Sequence, residues 1–205
     1  KTADEALAVH KKVGDKTYEA YALQQLGTVL ASQGDLNAAR TRYQEAIAVR
    51  HELGEKTTEA QSQFSLAQLQ LDSGDAASAE AGVRRVVPIF HDASSRDDEA
   101  LSYSLLSLAL LAQGKQAEAQ QAAAKSNEVL TKVQDFATRL QIDLANAYIE
   151  GMTGASSNDA GNRIAHAMKA LESVRETAAR QGYAGLELEA RLRLGEVELH
   201  SGKTA

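Results

Sequence analysis

The sequence predicts an all-α solenoid built from antiparallel helix pairs. Three observations carry this. Lys1 to Ala20, laid over Thr41 to Ala60, is identical at nine of twenty positions, and repeats of twenty to fifty residues signal solenoids or propellers. The stretch "LASQGDLNAA" at 30–39 returns as "QLDSGDAASA" at 70–79 and "LLAQGKQAEA" at 110–119, and begins again in "ELHSGKTA" at 198–205. The chain is rich in alanine, the best helix former, and holds a single proline and no tryptophan, which removes the propeller.

Each element follows from spacing and punctuation. Leu23, Leu26 and Leu30 fall three and four apart on one helical face, and Ala39, Tyr43 and Ala46 do the same after the bend. Between them Gly34 supplies a positive φ without steric cost, and Asp35 is placed to cap the next helix. Gly14 and Gly54 close the second helix of a unit in the same way. The expected division is 1–16 as a second helix, full units over 17–56, 57–96, 97–136 and 137–184, and the first helix of a further unit over 185–205. Both ends match only part of a unit, so a longer array is expected. The fourth unit carries about eight extra residues, and "GMTGASSNDAGN" at 151–162 has the composition of an exposed loop. Pro88, near the end of a second helix, is expected to kink or terminate it.

These residues resemble the tetratricopeptide repeat family. Its pattern of Leu-Gly, a bend glycine, then small, aromatic and small residues is met by Leu26-Gly27, Gly34, Ala39, Tyr43 and Ala46. The next two units give Leu66-Ala67, Gly74, Ala79, Val83 and Val86, then Leu106-Ser107, Gly114, Ala119, Ala123 and Ser126. Asn146-Ala147 and Gly154 hold the register in the fourth, followed by Ala167, Leu171 and Val174, and Leu194-Gly195 opens the last. The period of forty exceeds the usual thirty-four and resembles the longer units of bacterial regulatory proteins. The resemblance implies a right-handed α-α superhelix whose first helices line a concave groove.

The resemblance also places the groove positions. They fall on Tyr21, Gln24 and Thr28, then on Gln61, Phe64, Gln68 and Leu71. Leu101, Ser104, Leu108 and Leu111 follow, then Gln141, Leu144, Tyr148 and Met152, and finally Glu189, Leu192 and Glu196. No lysine or arginine is among them, unlike the carboxylate-gripping members of the family. An apolar, amide-bearing groove suits an amphipathic helix or an extended peptide. Phe64 and Leu71 are equally well read as core. The expected function is a non-catalytic protein- or peptide-binding scaffold in a larger bacterial protein, with a ligand- or peptide-sensing regulatory domain as the alternative; self-association through exposed end helices is a further expectation.

Other chemistry is not supported by the residues. With a net charge of −6 and no basic stripe, nucleic acid is not an expected partner. The absence of cysteine excludes disulfides and thiolate chemistry. "SGKTA" imitates a phosphate loop, but Val197 stands where that motif needs glycine and the preceding segment is helical. His10, His51, His91, His166 and His200 are scattered without the companions of a zinc site, and no serine nucleophile motif occurs. Glu187, Glu189, Glu196 and Glu198 are read as a solvated acidic face. No cofactor, metal or catalytic residue is expected, nor any signal peptide or membrane span, and a cytoplasmic location is the prior.

Overall fold

A computed structural model describes residues 12–154 and 159–202, and all regular structure among them is helical. Among the described residues, 12–13 are helical and nine helices follow: α1 (Lys16–Ser32), α2 (Leu36–Leu53), α3 (Lys56–Asp72), α4 (Ala76–Asp92), α5 (Arg96–Ala112), α6 (Gln116–Leu130), α7 (Phe136–Thr153), α8 (Ala160–Gln181) and α9 (Ala184–His200). The chain forms two compact units, Lys1–Asp98 and Glu99–Ala205.

In the first unit, α1 packs on α2, α2 on α3 and α3 on α4. The bends are made as the spacing requires: Gly34 and Gly74 have φ of 83° and 84°, and Gly54 has 70°. Asp35 accepts from the Ala38 amide, and Asp15 and Asp75 cap α1 and α4 through Tyr18 and Ser78. Leu23 and Leu26 are buried with Ala22 and Ala46, and Tyr43 lies with Ala39 and Leu69. Gly27 is where α1 meets that tyrosine: a Cβ there would stand 2.6 Å from Tyr43 Cε1. The next pair has the compatible combination of Ala67 and a fully buried Val83.

One expectation is corrected here. Pro88 does not terminate its helix, since α4 continues through it to Asp92. Lying in the penultimate turn, the proline removes one intrahelical donor while the Phe90 side chain two residues later stays fully buried with Ala60 and Val86. That burial holds the last turn in place. At the end of α4 a feature the sequence reading did not address appears: Ser94 takes a left-handed φ of 56° at the position the repeat gives to Gly14 and Gly54. Its amide still bonds to the His91 carbonyl at 3.0 Å, as that of Gly54 does to His51. A Cβ in this conformation costs about 1–2 kcal/mol, and glycine's extra unfolded freedom about half of that. Ser94→Gly is therefore expected to stabilise the chain by about 0.5–1 kcal/mol in thermal unfolding.

In the second unit, α6 packs on α7, α7 on α8, and α9 on both α7 and α8. Its core joins Leu140, Leu144 and Tyr148 of α7 with Ile164, Leu171 and Val174 of α8 and Ala190 and Val197 of α9. Both ends of the segment expected as an exposed loop at 151–162 are helical. α7 runs to Thr153, Gly151 is buried with its α-carbon against Val197, and α8 begins at Ala160. The extra residues lengthen α8 to 22 residues, and residues 155–158 lie outside those described. Gly154 has φ −66°, in contrast to the left-handed bends. Gly182, with φ 76°, closes α8 instead.

Candidate functional site

The groove positions divide into those spent on holding helices together and those left at a surface. In the first unit Gln24 belongs to the former group. Arg50 Nη1 donates to the Thr58 carbonyl at 2.7 Å and to Ser62 Oγ at 2.6 Å. Ser62 Oγ donates to Gln24 Oε1 at 2.7 Å, and Gln24 Nε2 donates to Ser65 Oγ at 2.8 Å. The chain of bonds joins α1, α2 and α3. Burial lowers the affinity of the Arg50 guanidinium for its proton, an effect that Glu55 only partly offsets.

The remaining positions of this unit are less engaged. Tyr21 is 56% exposed and Thr28 is exposed, the latter accepting from the Tyr43 hydroxyl at 3.3 Å. Gln61 donates to Asp98 at 3.1 Å and Gln68 to Asp72 at 2.9 Å, so both amides have protein partners. Phe64 is half-buried against Ala60, Val86 and Phe90, and Leu71 is half-buried.

The second unit corrects several expected contacts. Leu144 is 1% exposed and Ser104 is buried, so neither side chain is available to a partner. Tyr148, 9% exposed, is also part of the core. The reason is geometric: positions three and four apart on α7 span an arc wide enough that its inner edge meets α8 and α9. Leu108, Leu111 and Met152 lie half-buried on top of that core, and Leu101 packs beside Ala100, Val133 and Ile142. Gln141 is exposed, and Leu192 is 58% exposed on the outer side of α9 with Leu188 and Leu199.

A cation that the position rule does not return lies at this face. Arg193 places its guanidinium carbon 4.5 Å from the centroid of the Tyr148 ring. It donates to Glu196 at 3.0 Å and approaches Glu189 at 3.6 Å. Burial opposes the charge of Arg193, but the bond to Glu196 and the nearby Glu189 outweigh it and strengthen its hold on the proton. Burial, with the Glu196 bond, raises Tyr148 above the usual phenol value. Glu189 and Glu196 are therefore members of an ion-paired cluster, and Glu187 likewise pairs with Arg191 at 2.6 Å. The expected solvated acidic face is instead laced with arginines from the same helix, at the i,i+3 and i,i+4 spacings that make such pairs neighbours.

Among the described residues no group of three or more His, Asp or Glu side chains could hold a metal ion. His51 meets Glu59 at 3.2 Å, and His91 lies beside Arg96. No helix of the described residues is long and apolar enough to cross a membrane.

The stacked hairpins, with their recurring glycine bends, define a helical-repeat protein. Residues 18–91 match the model of the tetratricopeptide repeat. Solved structures share the fold at low identity. A Podosopora anserina protein titled as a kinesin light chain with nearly identical TPR-like repeats is 17% identical, with 89% of this chain and 86% of that one covered and a TM-score of 0.60. The apo form of RapI is 14% identical over 98% of this chain and 76% of its own, with a TM-score of 0.72. A Rap protein complexed with competence and sporulation factor is 15% identical, covers 98% of this chain and 59% of that chain, and has a TM-score of 0.68. No curated protein matches the sequence significantly.

Proposed function

We propose that this chain is a non-catalytic scaffold that binds a protein or peptide, acting as the interaction or regulatory part of a larger bacterial protein. The observation that carries the reading is the face of the second unit where Leu108, Leu111 and Met152 lie half-buried beside the Tyr148–Arg193–Glu196 cluster. Apolar knobs beside a held cation suit an amphipathic segment with a carboxylate at one edge. Regulation by a captured peptide is the second reading, favoured by the fold shared with the Rap protein that is complexed with a factor.

Peptides selected from a random displayed library against the wild-type chain supply the probe. Leu108→Ala and Met152→Ala are expected to weaken the selected peptides at least tenfold while the far-ultraviolet spectrum is kept. Retention of full affinity by both variants, or failure of any peptide to be selected, would overturn the scaffold reading. A selected peptide that raises the melting temperature of the chain in proportion to its occupancy supports the regulatory form.

A further inference from the structure

The second unit holds a cleft of about 550 Å³ between α6, α7 and α8. It opens on the other side of α7 from the groove positions: Asn146, Ile149 and Glu150 line it, whereas Gln141, Leu144, Tyr148 and Met152 lie about half a turn away around the helix axis. It is thus separate from the face on which the scaffold reading rests.

Its origin is legible in the repeat. Tyr43 of the first unit is 4% exposed and packs with Leu69, with Leu66 against the same cluster. Eighty residues on, the corresponding positions are Ala123, Ile149 and Asn146. A methyl group replaces the ring, so the side of α7 that an aromatic covers in the first unit is left open to the cleft. Ser107 stands where Gly27 must make room for the ring. The deepest lining of the cleft is apolar, the buried Ala123, Ala147, Ile149 and Val174.

The rim carries hydrogen-bonding groups in a peptide-like arrangement. Asn146 Nδ2 donates to Asn127 Oδ1 at 2.8 Å, and Asn146 Oδ1 is buried without a partner. An unpaired buried acceptor costs about 1–3 kcal/mol, so an entering N–H has a defined place to bond. Acidic and basic side chains both line the rim, Asp143 and Glu150 along with Arg163, and Glu150 Oε2 lies 2.8 Å from His166 Nδ1. An uncharged segment matches this better than an ion.

We propose that the cleft is a second recognition site, which takes an aromatic side chain of a peptide on its alanine floor while the Asn127–Asn146 pair bonds the adjoining main chain. The ring would supply from outside what the third repeat lacks within. The volume lies in the range of small-ligand pockets, and apolar floors with a few placed amides are their usual lining.

The test is titration of the isotope-labelled chain with N-acetyl-phenylalaninamide, followed by amide nuclear magnetic resonance, with N-acetyl-alaninamide as the comparison. Saturable shifts are expected at Ala123, Asn127, Asn146 and Ile149, including the two asparagine side-chain amides, with little change at Leu108 and Met152. The alanine compound should leave these signals in place. Two variants narrow the site: Ala123→Leu fills the floor, and Ala124→Gln crowds the exposed rim, each expected to weaken binding at least fivefold. The idea fails if the aromatic probe gives no saturable shift, if both probes shift the same signals equally, or if neither variant alters affinity. Ala124 is exposed, so its variant reports even should the floor variant fold poorly.

Discussion

Gly27→Ala is expected to destabilise the first unit by about 2 kcal/mol, although alanine is the better helix former by about 1 kcal/mol. The added carbon would stand 2.6 Å from Cε1 and 2.7 Å from Cδ1 of Tyr43. The ring cannot swing clear, because it is buried with Ala39 and Leu69 and its hydroxyl reaches Thr28. Either α1 and α2 move apart or the side chain leaves its rotamer, and overpacking of this kind costs about 1–3 kcal/mol. The double variant Gly27→Ala with Tyr43→Val recreates the Ala67 and Val83 combination of the next pair, so the two changes should cost less together than their sum by at least about 1 kcal/mol. Urea unfolding of the wild type, both single variants and the double variant measures this. Equal stability of Gly27→Ala and the wild type would show that the close approach does not exist.

Tyr148→Ala should be the more damaging change, at about 3–5 kcal/mol. Its ring fills the core between Leu144, Leu171 and Val197 and lies under Arg193, whose Nε is already buried without a partner. Truncation opens a cavity and removes the face on which the guanidinium rests. Tyr148→Phe keeps the ring and loses only the hydroxyl, so about 1 kcal/mol is expected from it. The pair of variants separates packing from hydrogen bonding by their denaturation midpoints. A Tyr148→Ala chain as stable as Tyr148→Phe would place the ring on the surface after all. The same result governs the choice of binding probes: Tyr148 is unsuited as one, whereas Leu108 and Met152 are half-buried and can be cut back at lower cost.

Much of the architecture was readable beforehand for identifiable reasons. Gly34, Gly54, Gly74 and Gly114 adopt the left-handed backbone that their spacing requires, and the aspartates after the bends cap the next helices. Bends and caps are local, decided by a residue and its immediate neighbours, so the sequence carries them openly. Gly154 and Ser94 depart from the pattern where a local rule met a longer-range influence: extra residues ahead of α8 in one case, and in the other a helix end already held by the burial of Phe90.

The site was less legible. Arg50 occupies the place that Phe90 holds forty residues later, and only its bonds to Thr58 and Ser62 explain a charge there. Gln24 and Ser62 were the available signal, being polar residues on otherwise apolar faces. Arg193 had none, because a rule that counts positions along a helix says nothing about where a long side chain ends. Its guanidinium travels from the flank of α9 onto Tyr148.

By itself, then, the sequence determined the helix pairs, their bends and the resemblance of the repeats to the tetratricopeptide pattern, since periodicity and glycine conformation are properties of short segments. Only the tertiary structure decided which groove positions turn inward, as Leu144 does, and where Arg193 and the Ala123 cleft lie. Burial depends on how far neighbouring helices reach across the gap, and that reach is set by side chains distant in sequence, as Leu171 and Val197 are from Leu144.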